Sequence, residues 1–161
     1  MDSKLLVLGA GAVGLGSILL FDSSLLKSPF SVLGLPISDK SKLLSLINQE
    51  RMKAGARALS HDTTLEQIAQ YWANECVKYN ISEHYYNGST PSIRAYQFGL
   101  TGTGKIYEIL SKTYAPEKSV INFLNSPDHK YAMLLGSLSR AGVGIATYGD
   151  PTFKIYVINM M

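Results

Sequence analysis

One stretch narrows the possible folds of this chain more than any other. Between residues 63 and 77, Leu65, Ile68, Ala69, Trp72, Ala73, Cys76 and Val77 recur at helical spacing, with Gln67, Gln70, Asn74 and Lys78 opposite. That pattern predicts an amphipathic helix whose broad apolar stripe must be covered by the rest of the chain. Thr63 with Glu66 reads as a capping box at its start, and Asn80 as its stop. Cys76 lies on the apolar stripe and reads as core filling. It is the only cysteine, which excludes an internal disulfide and a cysteine-built zinc site.

The segments around this helix supply candidates for its cover. Residues 41–54 read as a helix with Leu43, Leu44, Ile47 and Met52 on its apolar side and Gly55 after its end. Residues 106–111 suit a short strand. Pro116 opens a helix that runs to Asn125 with Val120, Phe123 and Leu124 apolar, and Ser126-Pro127 restarts a short helix through His129 to Leu135. Residues 142–148 and 153–159, joined at Gly149-Asp150-Pro151, form a hairpin. Residues 83–104, rich in Gly, Ser, Thr and Tyr, read as one long irregular loop, a length that in a compact domain points to function. Helices first and strands gathered late predict an α+β fold.

Ahead of this domain, residues 5–21 carry no charge, with Lys4 before them and Asp22 after. Spanning a bilayer takes about 20 apolar residues, with a lower range near 17. Residues 1–22 are therefore an apolar helix that anchors the chain in a membrane, or a cleaved secretory signal as the alternative. The small residues lie mid-run and no small-x-small triplet follows Phe21, which favours the anchor. Residues 23–40, rich in Ser, Pro and Gly, read as a linker that holds the folded part, residues 41–161, a short distance off the membrane. Gly9, Gly11 and Gly14 mimic a dinucleotide-binding fingerprint, but Pro29, Gly34 and Pro36 break the region where its second strand would lie. A net charge of +3, with lysines and arginines scattered, argues against a nucleic-acid partner.

Candidate chemistry centres on three histidines. His61 stands before the helix cap at Asp62/Thr63 and reads as structural or solvated. His84 opens the long loop, and His129 begins the helix after Pro127. Two imidazoles and one carboxylate such as Glu108 can build a zinc-type site, yet these residues are far apart in sequence and their spacing alone does not bring them together. No nucleophile elbow is present.

The order of motifs supplies what spacing does not. Leu43-Leu-x-Leu-Ile-Asn48-x-x-Arg51-x-x-Ala-Gly55, then Leu59-x-x-Asp62-x-x-Leu65-x-x-Ile-Ala69-x-x-x-Ala73, resembles the opening of the CAP superfamily (cysteine-rich secretory proteins, antigen 5, pathogenesis-related 1; also called SCP). His84, Asn87-Gly-Ser, Pro91, Arg94, Gly99, Tyr107-Glu108-Ile-Leu, Phe123-Leu-Asn-Ser-Pro-Asp-His129-Lys and Gly142-Val-Gly follow in the order of its short prokaryotic branch. The resemblance implies an α–β–α sandwich with a small antiparallel sheet between helical layers, and an extracytoplasmic location, membrane-anchored or, as the alternative, secreted. It also implies that His84, Glu108 and His129 converge in a cleft where some members hold a divalent metal, with Arg94 and Ser126 beside them.

Departures from the family pattern are Ile109 where the branch has asparagine, Phe123 for its tryptophan, and Ser126 near the place of a second cleft glutamate. With one carboxylate missing, zinc would be held weakly. The leading expectation is a domain that binds a small molecule, a lipid or a protein partner in this cleft. Alternatives are a metal-assisted hydrolase, for which no catalytic residue is assigned, and a structural surface protein without a working site. Tyrosines between 85 and 96 suggest a binding rim, and the sequons at Asn80 and Asn87 flank the same region.

Overall fold

The computed structural model describes residues 38–101 and 104–161. The expected apolar N-terminal helix and most of the linker lie outside the described residues. Within them no helix is long and apolar enough to cross a membrane.

The elements follow in the order α1 (Asp39–Lys53), β1 (Ser60–His61), α2 (Thr63–Tyr79), α3 (Pro91–Gln97), β2 (Tyr107–Thr113), α4 (Pro116–Asn125), α5 (Pro127–Leu134), β3 (Arg140–Thr147) and β4 (Lys154–Met160). Helix α1 starts two residues earlier than the sequence suggests, because the Ser38 hydroxyl accepts from the Ser41 N–H and acts as N-cap. Its buried stripe is Leu43, Ile47 and Arg51, spaced four apart, which turns Met52 out to solvent rather than onto the apolar side. The Arg51 guanidinium is fully buried and donates to the carbonyls of Arg57, Met133, Leu135 and Leu138, tying α1 to the C-terminal end of α5. The Met133 and Leu135 carbonyls lie at the C-terminal end of α5, the negative end of its dipole, so a cation suits the place.

Helix α2 is capped by Asp62, whose carboxylate accepts from the Leu65 N–H, and not by the expected Thr63/Glu66 box. Glu66 instead pairs with Lys40 and His61. Asn80 ends the helix in the left-handed region at φ 51°, which a short polar side chain tolerates. The stretch read as one long loop contains α3. Thr90 caps it by accepting from the Ile93 N–H and Pro91 opens it, a start signal visible in the sequence but too short to show apolar periodicity.

The sheet has the order β1-β3-β4-β2. Strands β3, β4 and β2 are antiparallel neighbours, but β1 runs parallel to β3, pairing Ser60 with Arg140 and His61 with Ala141. The sheet is therefore mixed, not wholly antiparallel. The parallel element is only the turn between α1 and α2 brushing past β3, which needs no long crossover of its own. Both faces of the sheet are covered, so β4 reads as a continuous apolar run, and alternate residues serve opposite layers. Ile155 and Val157 pack with Leu110 against Ala69, Trp72, Ala73 and Cys76 of α2. Tyr156 and Ile158 pack with Ile109 against Leu43, Ile47, Val120, Phe123 and Met133 of α1, α4 and α5. The architecture is the expected α+β sandwich of three layers. Gly142 and Gly144 allow the close approach of α2: a Cβ at Gly142 would sit 1.9 Å from the Glu66 nitrogen, and one at Gly144 2.2 Å from the Ala69 carbonyl.

Candidate functional site

Glu108 is the second residue of β2, on the face that looks toward α2, and its side chain is 1% exposed. A carboxylate that deep needs a counter-charge and hydrogen bonds to stay ionised. Both are present. Nη2 of Arg94, on α3, donates to Oε1 at 2.9 Å and to Oε2 at 2.7 Å. Asn159 stands directly opposite Glu108 across the β2–β4 ladder, and with its amide oriented to satisfy its neighbours its nitrogen donates to Oε2 at 3.1 Å. The remaining partner is His84, whose Nδ1 lies 3.0 Å from Oε1. An ionised carboxylate only accepts, so Nδ1 carries the hydrogen, and in the neutral ring the lone pair is then on Nε2.

The place of His84 follows from how α2 ends. After Asn80 reverses the chain, the Ile81 N–H returns to the Cys76 carbonyl and the Tyr148 hydroxyl donates to the Ile81 carbonyl. Trp72 then donates from Nε1 to the Glu83 carbonyl at 2.9 Å, which fixes the backbone one residue before the histidine. His84 emerges with its side chain 43% exposed.

His129 arrives from the opposite helical layer. Pro127 opens α5, and the Lys130 N–H bonds to the Ser126 carbonyl, so His129 falls in the first turn. Its ring stands edge-on to that of His84 with centroids 5.7 Å apart, and edge-on to Phe123 at the same separation. Burial, and then the neighbouring His84, lower the His129 pKa below the usual imidazole value. The two rings thus meet beside β2, the outer strand of the sheet, and a low pKa on His129 favours a neutral ring with a free lone pair.

Of the residues singled out in the sequence, the structure brings His84, Glu108, His129 and Arg94 together. Arg94 has no exposed surface and lies behind Glu108, its guanidinium carbon 3.7 Å from the centre of the Trp72 ring. Ser126 sits at the α4–α5 junction, where its side chain caps neither helix. His61 is exposed beside Glu66, at a solvated helix start as expected. Cys76 is buried, and burial first, with the Glu108 charge adding, pushes its thiol up to about 12. Trp72 and Asn159 complete the site without having been recognised in the sequence. Trp72 is indistinguishable there from any other member of an apolar stripe, and Asn159 becomes a partner of Glu108 only through strand register.

Among the described residues no three His, Cys, Asp or Glu side chains are grouped as ligands around one point. The hydrogen bonds give the reason. Glu108 already accepts from Arg94, His84 and Asn159, so the donors left for a metal are the imidazole nitrogens. A two-imidazole pair fits a borderline ion such as zinc, with a carboxylate orienting one ring from behind. A surface hollow of about 530 Å³ lies farther along α5, lined by Pro127, Lys130, Tyr131, Leu134, Leu135 and Gly136, and includes none of these donors.

Comparison with known proteins agrees with this architecture. The family model described as "CAP: Cysteine-rich secretory protein family" matches residues 44–160. An outer surface protein from Borrelia burgdorferi is similar at a TM-score of 0.70 and 27% identity, over 76% of this chain and 90% of that one. An extracellular protein containing an SCP domain from Bacillus anthracis is similar at a TM-score of 0.67 and 18% identity, over 79% of this chain and 44% of that one. The CAP domain of enterococcal PrgA follows at 0.55 and 18%, over 76% and 59% of the two chains. No curated protein matches the sequence.

Proposed function

The chain belongs to the cysteine-rich secretory protein (CAP) family, and we propose that it serves outside the cytoplasm as a binding domain whose working surface is the His84–His129 pair, backed by Glu108. The observation that carries this reading is the meeting of two imidazoles from different helical layers, one of them oriented by a buried carboxylate. The two main clusters of buried apolar side chains are built from other residues.

The pair suits a divalent metal, zinc in particular, through His84 and His129. A bound ion there would supply an electrophilic point to which a small molecule, a lipid headgroup or a protein side chain attaches. Glu108 has its oxygens engaged by Arg94, His84 and Asn159 and holds no free position from which to take a proton from water, so binding is favoured over hydrolysis. The extracytoplasmic setting is supported by the relatives described as an outer surface protein and an extracellular protein. Tethering through the apolar residues 5–21 completes the reading.

Calorimetric titration with zinc tests the pair. The expected result is heat of binding in the intact chain that disappears in the double variant His84→Ala/His129→Ala; identical heats from the two would remove the metal. Tethering predicts that the full chain pellets with membranes, whereas a chain starting at residue 38 stays in the supernatant.

A further inference from the structure

Seven of the ten tyrosines are exposed, and five of those seven, Tyr71, Tyr79, Tyr85, Tyr86 and Tyr96, lie on α2, on α3 or in the segment between them. Single exposed rings are ordinary on a protein surface, but a concentration of them on one side is not. Tyr79 is in ring contact with Tyr86, and Tyr71 with Phe98, at centroid distances of 4.9 and 5.6 Å. Tyr85 and Tyr96 stand out furthest, 61% and 71% exposed. From residue 85 to residue 101 the one charged side chain is Arg94, and it is fully buried. The surface there is tyrosine interleaved with Asn87, Ser92, Ile93, Gln97 and Thr101.

This surface is also held still. Tyr86 and Ser89 exchange two backbone hydrogen bonds around Asn87 and Gly88, both at positive φ, which makes a type I′ turn. From beneath, Arg94 donates to the Ser89 hydroxyl at 3.1 Å and to the His84 carbonyl at 3.3 Å, while Trp72 holds the Glu83 carbonyl. Rigid rings on a fixed backbone lose little entropy when a ligand covers them. Beside Tyr96 lies a hollow of about 260 Å³, lined by Ser92, Ala95 and Tyr96 of α3 and by Leu100, Thr101 and Ile106, with no charge in its walls.

We propose that this uncharged, tyrosine-bearing surface is a binding site additional to the His84–His129 pair, and that its ligand is a neutral carbohydrate chain. A sugar ring has faces of C–H groups and a rim of hydroxyls. The faces suit a tyrosine ring or the walls formed by Ala95, Leu100 and Ile106, and the rim suits the hydroxyls of Ser92 and Thr101 and the amides of Asn87 and Gln97. A hollow smaller than the roughly 300–1,000 Å³ of pockets for drug-sized ligands has room for one ring of a longer chain, with the next rings on the exposed tyrosines. Other polymers fit less well. A polyanion or an anionic bilayer is met by surface Lys and Arg, which residues 85–101 do not offer. A protein partner of standard size takes about 800 Å² with a packed apolar centre, whereas Ile93 is the one exposed aliphatic side chain in this stretch.

The test titrates the full chain with neutral oligosaccharides of glucose, mannose, galactose and N-acetylglucosamine, with heparin as the charged counterpart. The expected result is saturable binding of at least one neutral oligomer, with an affinity that added salt does not change. Tyr85→Ala and Tyr96→Ala are each expected to weaken it about tenfold or more, and Tyr96→Phe, which keeps the ring, to retain most of it. Both side chains are exposed, so these variants keep the fold, and circular dichroism checks that they do. Tyr131→Ala, which removes an exposed tyrosine on α5, is expected to bind as the intact chain does. Failure of every neutral oligomer to bind overturns the proposal, as does binding that Tyr85→Ala and Tyr96→Ala leave intact or that Tyr131→Ala removes equally. A preference for heparin would assign the surface to a polyanion. Capture on phosphatidylcholine vesicles lost with the same two substitutions would assign it to a membrane, and dimerisation lost with them to a second copy of the chain. Each of these three outcomes overturns the carbohydrate.

Discussion

Glu108 and Arg94 depend on each other, and removing either is costly for the one left behind. Glu108→Ala strands a guanidinium with no exposed surface. Breaking a buried pair from one side costs about 3–5 kcal/mol, and urea unfolding of the variant should show a loss of that order. A drop well under 1 kcal/mol would mean that the pair is more hydrated than its contacts imply. Cys76 makes the opposite point, since it is a potential nucleophile rendered inert by its place on α2. With its thiol pushed up to about 12, the thiolate is scarce at neutral pH. Thiol reagents should leave the native protein unmodified and react once it is unfolded.

At the scale of elements, α2 is the centre of the structure because it packs on β3 and β4, the middle strands of the sheet. Its approach depends on two residues that have no side chain. Gly142→Ala or Gly144→Ala would drive a methyl group into the α2 backbone, where no flexible side chain can yield. Overpacking of this kind costs about 1–3 kcal/mol and occasionally more, and each variant should melt well below the wild type. The start of α2 adds a pH dependence. Burial acts to raise the Asp62 pKa, but hydrogen bonds from the Leu65 N–H and Arg140, with the charge of Arg140, outweigh it and hold the carboxyl below its usual range. The folded state therefore binds this proton less readily than the unfolded chain. Its stabilisation is complete above the unfolded value near 4 and is lost as pH falls through the lower folded value. Asp62→Asn, which keeps a capping oxygen, should flatten the acid limb of the stability curve while leaving neutral stability within about 1 kcal/mol.

At the scale of the whole molecule, the described domain carries its own core on both sides of the sheet without a disulfide. A chain beginning at residue 38 should thus fold alone, unfold in one cooperative transition, and show the same Tm with and without reductant. A reductant-sensitive Tm would indicate a covalent link between copies. The same layering explains why the site lies where it does. The histidines come from the segment after α2 and the first turn of α5, which belong to opposite faces of the sheet, and they meet beside the edge strand β2.

The amino-acid sequence by itself determined the helices with clear periodicity, the hairpin of β3 and β4, and the family pattern that singles out His84, Glu108 and His129. These are local matters of apolar spacing, capping residues and the order of short motifs. Helix α3 escaped because seven residues are too few for a period to declare itself, and the Thr90-Pro91 start was hidden in a polar loop. The Asp62 cap replaced the Thr63/Glu66 box because Glu66 finds Lys40, which lies 26 residues away. Only the tertiary structure decided that Arg94 holds both oxygens of Glu108, that Trp72 bears on its guanidinium, and that Asn159 shares the same carboxylate. Each of those facts depends on strand register and layer packing, which join residues through space that the chain order keeps apart.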